Sequence, residues 1–204
     1  YDQLYDKLEA IEKAQGWRDH DSPTKHVGGT PGKVTHPHKL YSLRKVYDIE
    51  EVDSFMTIKA PKIDGANLSL IYRRGKLKMA LTRGNGEQGE DVTHLAEFLK
   101  NAPARIELGD EVVINGECVT GNDVENYRNY VSGALGLKDP LEFDKRNIKF
   151  IAHDWLGTTI NYTTRMKVIK NAGFETVLDE SAWKYPQDGI VYRTDSWEKE
   201  QQLG

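Results

Sequence analysis

The stretch Lys59-Ala60-Pro61-Lys62-Ile63-Asp64-Gly65-Ala66-Asn67-Leu68-Ser69-Leu70-Ile71-Tyr72 decides the fold. Leu68, Leu70 and Tyr72 alternate with Asn67, Ser69 and Ile71, which is the period of a strand. Arg74-Gly75 separates that run from a second one, Lys76 to Leu81, and predicts a hairpin. Just before the hairpin, Lys62, Asp64 and Gly65 set an amine, a carboxylate and a residue without a side chain at a strand-to-turn junction, where a ligand can approach closely. Downstream, a polar Gly-rich loop, Thr82 to Gly89, leads into a helix predicted over Asp91 to Asn101. Strands follow at Glu111 to Thr120, Asn147 to Leu156 and Ile190 to Thr194, with helices over Val124 to Leu135 and Thr164 to Ala172. Upstream, Asp48 to Phe55 reads as helical, and Asp19 to Lys39, rich in Gly, Pro, His, Ser and Thr, reads as an extended connector. Tyr1, Leu4, Tyr5, Leu8 and Ile11 have the spacing of an amphipathic helix that stops near Gly16. Hairpins mixed with helices, without regular βαβ units, predict an α+β fold.

The 204 residues are 38% hydrophobic, enough for a core. The 28 basic and 32 acidic side chains leave a net charge of −4, which excludes a generally polybasic binder. No apolar run approaches the roughly 18 residues that cross a bilayer, and the chain opens on Tyr1-Asp2-Gln3 rather than a signal-type segment, so a soluble, cytoplasmic protein with no membrane partner is expected. The single cysteine, Cys118, permits no internal disulfide and no Cys-rich zinc motif.

Four motifs compete for the chemistry. Gly84, Gly86 and Gly89 match G-x-G-x-x-G, but the preceding strand belongs to a hairpin, and Glu90 and Asp91 would repel a pyrophosphate from the helix end that follows. Gly32-Lys33 lacks the other P-loop residues, and His36-Pro-His38, with no third ligand evident, reads as connector. The Lys62 segment carries more. Between Lys59 and Arg83 stand seven basic residues and one acid, Asp64, a net +6 inside an acidic chain. The hairpin lysines and arginines among them suit either a solvated face or phosphate contact. A lysine that attacks phosphorus needs carboxylates for a divalent cation and arginines for phosphate. Glu117 in Asn115-Gly116-Glu117 and Asp188 in Asp188-Gly189-Ile190-Val191 lie beside glycines at strand ends, where both suit that role.

Several of these segments, in order, resemble the NAD+-dependent DNA ligases, specifically their adenylation domain. Leu40-Tyr41-Ser42-Leu43 is similar to the family's Met-Leu-Ser-Leu segment, and Lys62-Ile63-Asp64-Gly65 to nucleotidyltransferase motif I. Thr82-Arg83-Gly84-Asn85-Gly86 and Gly89-Glu90-Asp91-Val92-Thr93 are nearly the family's own, and Gly116-Glu117, Tyr127-Arg128-Asn129 and Asp188-Gly189-Ile190-Val191 complete the series. Residues 1–12 resemble the end of the small nicotinamide-binding domain, and Asp21 to Gly29 the connector after it. The resemblance implies a nucleotidyltransferase (ATP-grasp-like) α+β fold, with residues 1–30 as the end of the helical nicotinamide-binding subdomain plus connector and 31–204 as the adenylation domain. It implies that Lys62 attacks the α-phosphorus of NAD+, releases nicotinamide mononucleotide and holds AMP for a nicked double-stranded DNA. Tyr1 and Asp2 would contact the nicotinamide nucleotide, Ser42 and Leu43 the adenosine, and Arg83 the AMP. Asp64, Glu117 and Asp188 would position Mg2+ through its waters, and Arg128 would serve DNA or phosphate. His153 stands where the family has a tyrosine that stacks on adenine.

There are departures. Ala60 replaces a nucleotide-contacting glutamate two residues before the lysine, Arg193 replaces a lysine and by resemblance would keep its charge for binding the cofactor, and Gly136 replaces a second arginine eight residues after Arg128. The chain ends at Leu203-Gly204, before the family's motif V, and lacks its oligonucleotide-binding fold. It therefore reads as a fragment, or as one subunit of an enzyme split among chains, as in a phage genome, with a second chain supplying those parts. The competing readings are an ATP-using relative and a non-catalytic nucleotide- or DNA-binding subunit.

Overall fold

The computed structural model describes residue 11 and residues 32–203. Chain contacts divide it into two compact units, Tyr1–Gly32 and Lys33–Gly204. Of the first, only Ile11, which is helical, and Gly32 are described; the rest of the expected helix, Tyr1, Asp2 and the connector up to residue 31 lie outside the described residues.

The second unit is built on a five-stranded sheet of order β4-β3-β6-β7-β8: β3 (Ala66–Arg73), β4 (Lys76–Thr82), β6 (Glu111–Thr120), β7 (Ile148–Leu156) and β8 (Glu175–Thr176). All pairings are antiparallel except β7 with β8. Two ribbons accompany it: β2 (Ile58–Ile63) with β9 (Gln187–Arg193), and β1 (Lys33–Thr35) with β5 (Gln88–Glu90). The helices are α1 (Tyr127–Leu135), α2 (Pro140–Lys145), α3 (Tyr162–Asn171) and α4 (Trp197–Leu203). This is the α+β architecture that the alternating runs predict.

The main core gathers Leu68, Leu70 and Tyr72 of β3, Ile114 and Cys118 of β6, Phe150 of β7 and Ile169 of α3, with Ala60 and Ile63 of β2 against them. A smaller cluster, Ile71, Leu81 and Val113, is covered by Val34 of β1. Both faces of β3 are therefore buried, and Ser69, on the polar half of the alternation, is fully buried.

Two expected helices are only short 3-10 turns. At Ile49–Glu51 the Asp48 side chain accepts from the Glu50 amide at 3.1 Å, Glu51 closes back on the Asp48 amide at 3.2 Å, and nothing in the turn is buried. A short helix without a packed face does not persist. At Thr93–Phe98 the chain leaves the helical path because the Lys100 backbone pairs with β7, donating to Ile148 O at 3.0 Å and accepting from the Phe150 amide at 2.9 Å. Glu90 accordingly ends β5, and the Asp91 carboxylate, one residue ahead of the turn's N-cap Val92, accepts from the Thr93 amide at 2.9 Å. Lys62 lies within β2, not past its end. Pro61 is tolerated there because β2 pairs on one side only, so its missing N–H faces an open edge.

The two helices nearest the chain's end cap one another. Asp195, after β9, accepts from the Thr163 amide and hydroxyl at 2.7 and 2.8 Å at the start of α3. Asn161, ahead of α3, accepts from the Trp197 amide at 3.1 Å at the start of α4. Each satisfies amides that the first turn leaves unpaired.

Candidate active site

Motif I is set by β2. Its register on β9 puts Lys62 opposite Gly189, with an irregularity between Lys62 and Ile63, and the Lys62 ammonium reaches both Asp188 oxygens at 2.7 and 2.9 Å. The chain then turns: the Asp64 amide donates to Pro186 O at 2.8 Å. Gly65 must be glycine because a Cβ there would overlap the Cys118 carbonyl of β6 and press on the Glu117 side chain. This contact carries the Lys62 segment onto the big sheet beside Glu117.

Arg128 comes from α1, whose start is fastened to β6: the Tyr127 hydroxyl donates to Thr120 O at 2.7 Å and accepts from the Thr120 amide at 2.8 Å. One residue on, the Arg128 guanidinium stands 3.5 Å from the Asp64 carboxylate. Burial pushes the Glu117 carboxyl up to about 7. The Asn67 amide, the Gly65 N–H and the charges of Arg128 and Lys62 pull the other way without cancelling it. Lys62, Asp64, Glu117, Arg128 and Asp188 thus form one cluster from β2, β6, α1 and β9.

A second group holds Arg83. The loop after β4 is stitched to the segment that includes β1: Val34 pairs with Gly89, the His36 amide donates to Glu87 O at 2.9 Å, and the Leu40 amide donates to Gly86 O at 2.9 Å. Gly86, at φ 89°, approaches Leu40 so closely that a Cβ would lie 2.5 Å from its carbonyl oxygen. The buried His36 ring places Nε2 3.2 Å from Arg83 O, which makes that nitrogen the donor. The Arg83 side chain then donates to Ser42 Oγ at 3.1 Å, and Leu43 beyond it is exposed.

His153, on β7, is linked to the same region through Asn67, whose Nδ2 lies 3.1 Å from its Nε2. Burial pushes the imidazole down to about 4; Arg193 and Arg83 add to that shift and Asp154 opposes it. Arg193 is engaged elsewhere than the sequence suggests. Its Nη1 donates to Asp154 at 3.0 Å and to Glu200 of α4 at 3.4 Å, and its guanidinium lies over the Tyr162 ring. Arg165 of α3, almost fully buried, closes the network with two 2.8 Å bonds to Glu200 and an ion pair to Asp154 at 3.1 Å that is off hydrogen-bond geometry. Burial lowers the Arg193 pKa, but Asp154, Tyr162 and Glu200 outweigh it and the net shift is upward.

Sequence reasoning missed Asn67, Asn115, Arg165, Glu200 and the role of His36. Polar Asn67 and Ser69, alternating with Leu68 and Leu70 on the hairpin strand, were the available signal. Ala60 is buried opposite Val191, and Gly136 ends α1. Among the described residues no three His, Cys, Asp or Glu side chains cluster closely enough to hold a metal ion alone. The all-oxygen donors Asp64, Glu117 and Asp188 instead suit Mg2+ in its usual mode, with one or two carboxylates, substrate phosphate and water.

The model of the NAD-dependent DNA ligase adenylation domain matches residues 30–204. The chain belongs to that family. Curated relatives called DNA ligase include those of Wolinella succinogenes (33% identical, covering 85% of this chain and 32% of the relative), Brachyspira hyodysenteriae (30%, 100% and 39%) and Lactobacillus helveticus (31%, 100% and 39%). The adenylation-domain chain spans about a third to two-fifths of the length of these relatives. No helix among the described residues is long and apolar enough to cross a membrane.

Proposed function

We propose that this chain performs the first step of NAD+-dependent nick ligation, the transfer of AMP from NAD+ to Lys62. The observation that carries the reading is the Lys62 amine seated on Asp188 within a cluster that also holds Asp64, Glu117 and Arg128, in a chain of this family. The Lys62 ammonium gives a proton to the Asp188 carboxylate it already touches, Nζ uses the freed lone pair to bond to the α-phosphorus, the bond from that phosphorus to nicotinamide mononucleotide breaks with its electron pair on the departing phosphate, and the second proton that Nζ sheds passes to solvent. Arg83 and Ser42 bind the adenylate, Leu43 and His153 flank the adenosine, and Arg193 borders the base end. Arg128 serves phosphate or DNA. Asp64, Glu117 and Asp188 would hold Mg2+, which supplies charge neutralisation at the phosphates. Tyr1 and Asp2 serve the nicotinamide nucleotide within a segment ending near residue 30, and residues 31–204 act as the adenylation domain. The AMP then passes to the 5′-phosphate of nicked double-stranded DNA, with motif V and an oligonucleotide-binding fold supplied by further sequence or a second chain. The setting is cytoplasmic.

Incubation with NAD+ and Mg2+, and in parallel with ATP and Mg2+, followed by intact mass, tests this. A gain of one AMP with NAD+ alone, mapped to Lys62, is the expected result. A gain with ATP alone moves the chain to the ATP-using relatives. No gain with either, even with the C-terminal segment supplied in trans, makes it a non-catalytic subunit.

A further inference from the structure

Asn67, Ser69 and Asn115 form a polar patch inside the sheet that the transfer above does not use. The β3–β4 and β3–β6 registers put Asn67 opposite Glu117 and Ser69 opposite both Leu81 and Asn115, so all share one face. Ser69 and Asn115 are buried where aliphatic side chains would pack, and buried amides are kept only with their hydrogen bonds made.

The orientation of this patch follows from a group that cannot turn. The Gly116 carbonyl can only accept, and it lies 3.1 Å from Nδ2 of Asn67, so the NH2 end of that amide faces it. Asn115 agrees: its Oδ1 accepts from Asn67 Nδ2 at 3.0 Å, while its own Nδ2 donates to Asn67 Oδ1 at 3.2 Å and to Ser69 Oγ at 2.7 Å. The third neighbour of Asn67 Nδ2 is Nε2 of His153, at 3.1 Å. An amide nitrogen accepts nothing, so the Nε2 that faces it is the unprotonated one, sharing the two Asn67 N–H bonds with Gly116 O and Asn115 Oδ1, and a neutral imidazole with a lone pair on Nε2 carries its proton on Nδ1. That Nδ1 is closed off from solvent and has no partner in the protein. The charged groups around the ring are Arg83, Arg193 and Asp154. The His153 backbone is itself held, its carbonyl accepting from the Tyr162 hydroxyl at 3.0 Å.

We propose that Asn67, backed by Asn115 and Ser69, is a positioning residue that holds His153 in the Nδ1–H tautomer and so fixes the orientation and neutral state of the ring that flanks the adenosine. The inference rests on the adenylation reading for its ligand. The tautomer itself does not depend on turnover.

The test is a two-bond 15N–1H correlation on the full chain labelled at its six histidines, at pH 7 without nucleotide, with His153 assigned by loss of its signals in His153→Phe. The expected pattern is a protonated Nδ1 and an unprotonated Nε2. Asn67→Ala should give a tautomer mixture, and Asn67→Asp, which turns acceptors toward Nε2, should invert it. An Nε2–H tautomer or an imidazolium in the unsubstituted chain overturns the proposal, and so does an unchanged tautomer in both variants. In adenylation assays Asn67→Ala and His153→Phe should each raise KM for NAD+ about tenfold with kcat little changed, and the double variant should be no worse than either. Multiplied losses in the double variant overturn the positioning role. If no variant or parent is adenylated, the functional reading fails while the NMR result still decides the tautomer.

Discussion

The same chemistry, basic side chains paired with acids, occurs in two settings in this molecule. In the candidate site, the Lys62 and Asp188 side chains are 45% and 42% exposed, and Arg128 meets Asp64 across 3.5 Å. In the Arg165–Asp154–Arg193–Glu200 network, the Arg165 side chain is 4% exposed and Asp154 11%. Water screens the first set, so its partners exchange at little cost when a substrate phosphate arrives. The second set is closed on itself and ties β7, β9, α3 and α4 together; losing one member leaves a charge stranded without water. The candidate site has its pairs where they are cheap to break, and the frame that carries it has them where they are expensive to break.

The sharpest way to break that comparison is Arg165→Met. It should lower unfolding free energy by about 3–5 kcal/mol, because Asp154 and Glu200 lose their buried partner. Lys62→Met should abolish the AMP adduct while costing less than about 1 kcal/mol of stability in the same denaturation experiment. Comparable stability losses in the two variants would mean that burial does not separate the sets.

The pH dependence sharpens the contrast at the site itself. Glu117, raised to about 7 when folded, binds a proton that the unfolded chain releases between pH 4.5 and 7, so its contribution falls as pH rises through that window. His153, lowered to about 4, lacks a proton that the unfolded chain holds between pH 4 and 6.5, so its contribution rises with pH there. The two slopes oppose each other from pH 4.5 to 6.5. Unfolding free energies from urea titrations of His153→Phe should therefore decline with pH across that range, and those for Glu117→Gln should climb, each by about 1–3 kcal/mol in total. Parallel curves would show that the two groups do not titrate oppositely.

The smallest effect belongs to an exposed pair in neither set. Lys100→Ala, which removes the 2.8 Å contact to Asp144, should change stability by no more than about 0.5 kcal/mol, and a larger loss would place that pair with the buried network.

Much of the site was legible because its parts are local. The Lys62-Ile63-Asp64-Gly65 run, the hairpin after it, and the glycines beside Glu117 and Asp188 are short patterns whose residue types announce their chemistry. The helices over 48–55 and 91–101 were misjudged for the opposite reason. Helical spacing is a local signal, whereas the pairing of the Lys100 backbone with β7 is a contact between distant segments. His36 reads as connector for the same reason, since the carbonyl it holds belongs to Arg83, 47 positions away.

By itself the sequence determined the α+β class and singled out Lys62, Asp64, Glu117 and Asp188 as candidates, because these depend on alternation, turn residues and side-chain chemistry over a few positions. Only the tertiary structure decided that both faces of β3 are buried, that Arg193 is engaged by Asp154 and Glu200, and that Asn67 faces His153 with an amine rather than an oxygen. Each of those depends on which strand lies opposite which, and strand register is settled by packing over the whole sheet rather than by any neighbouring residue.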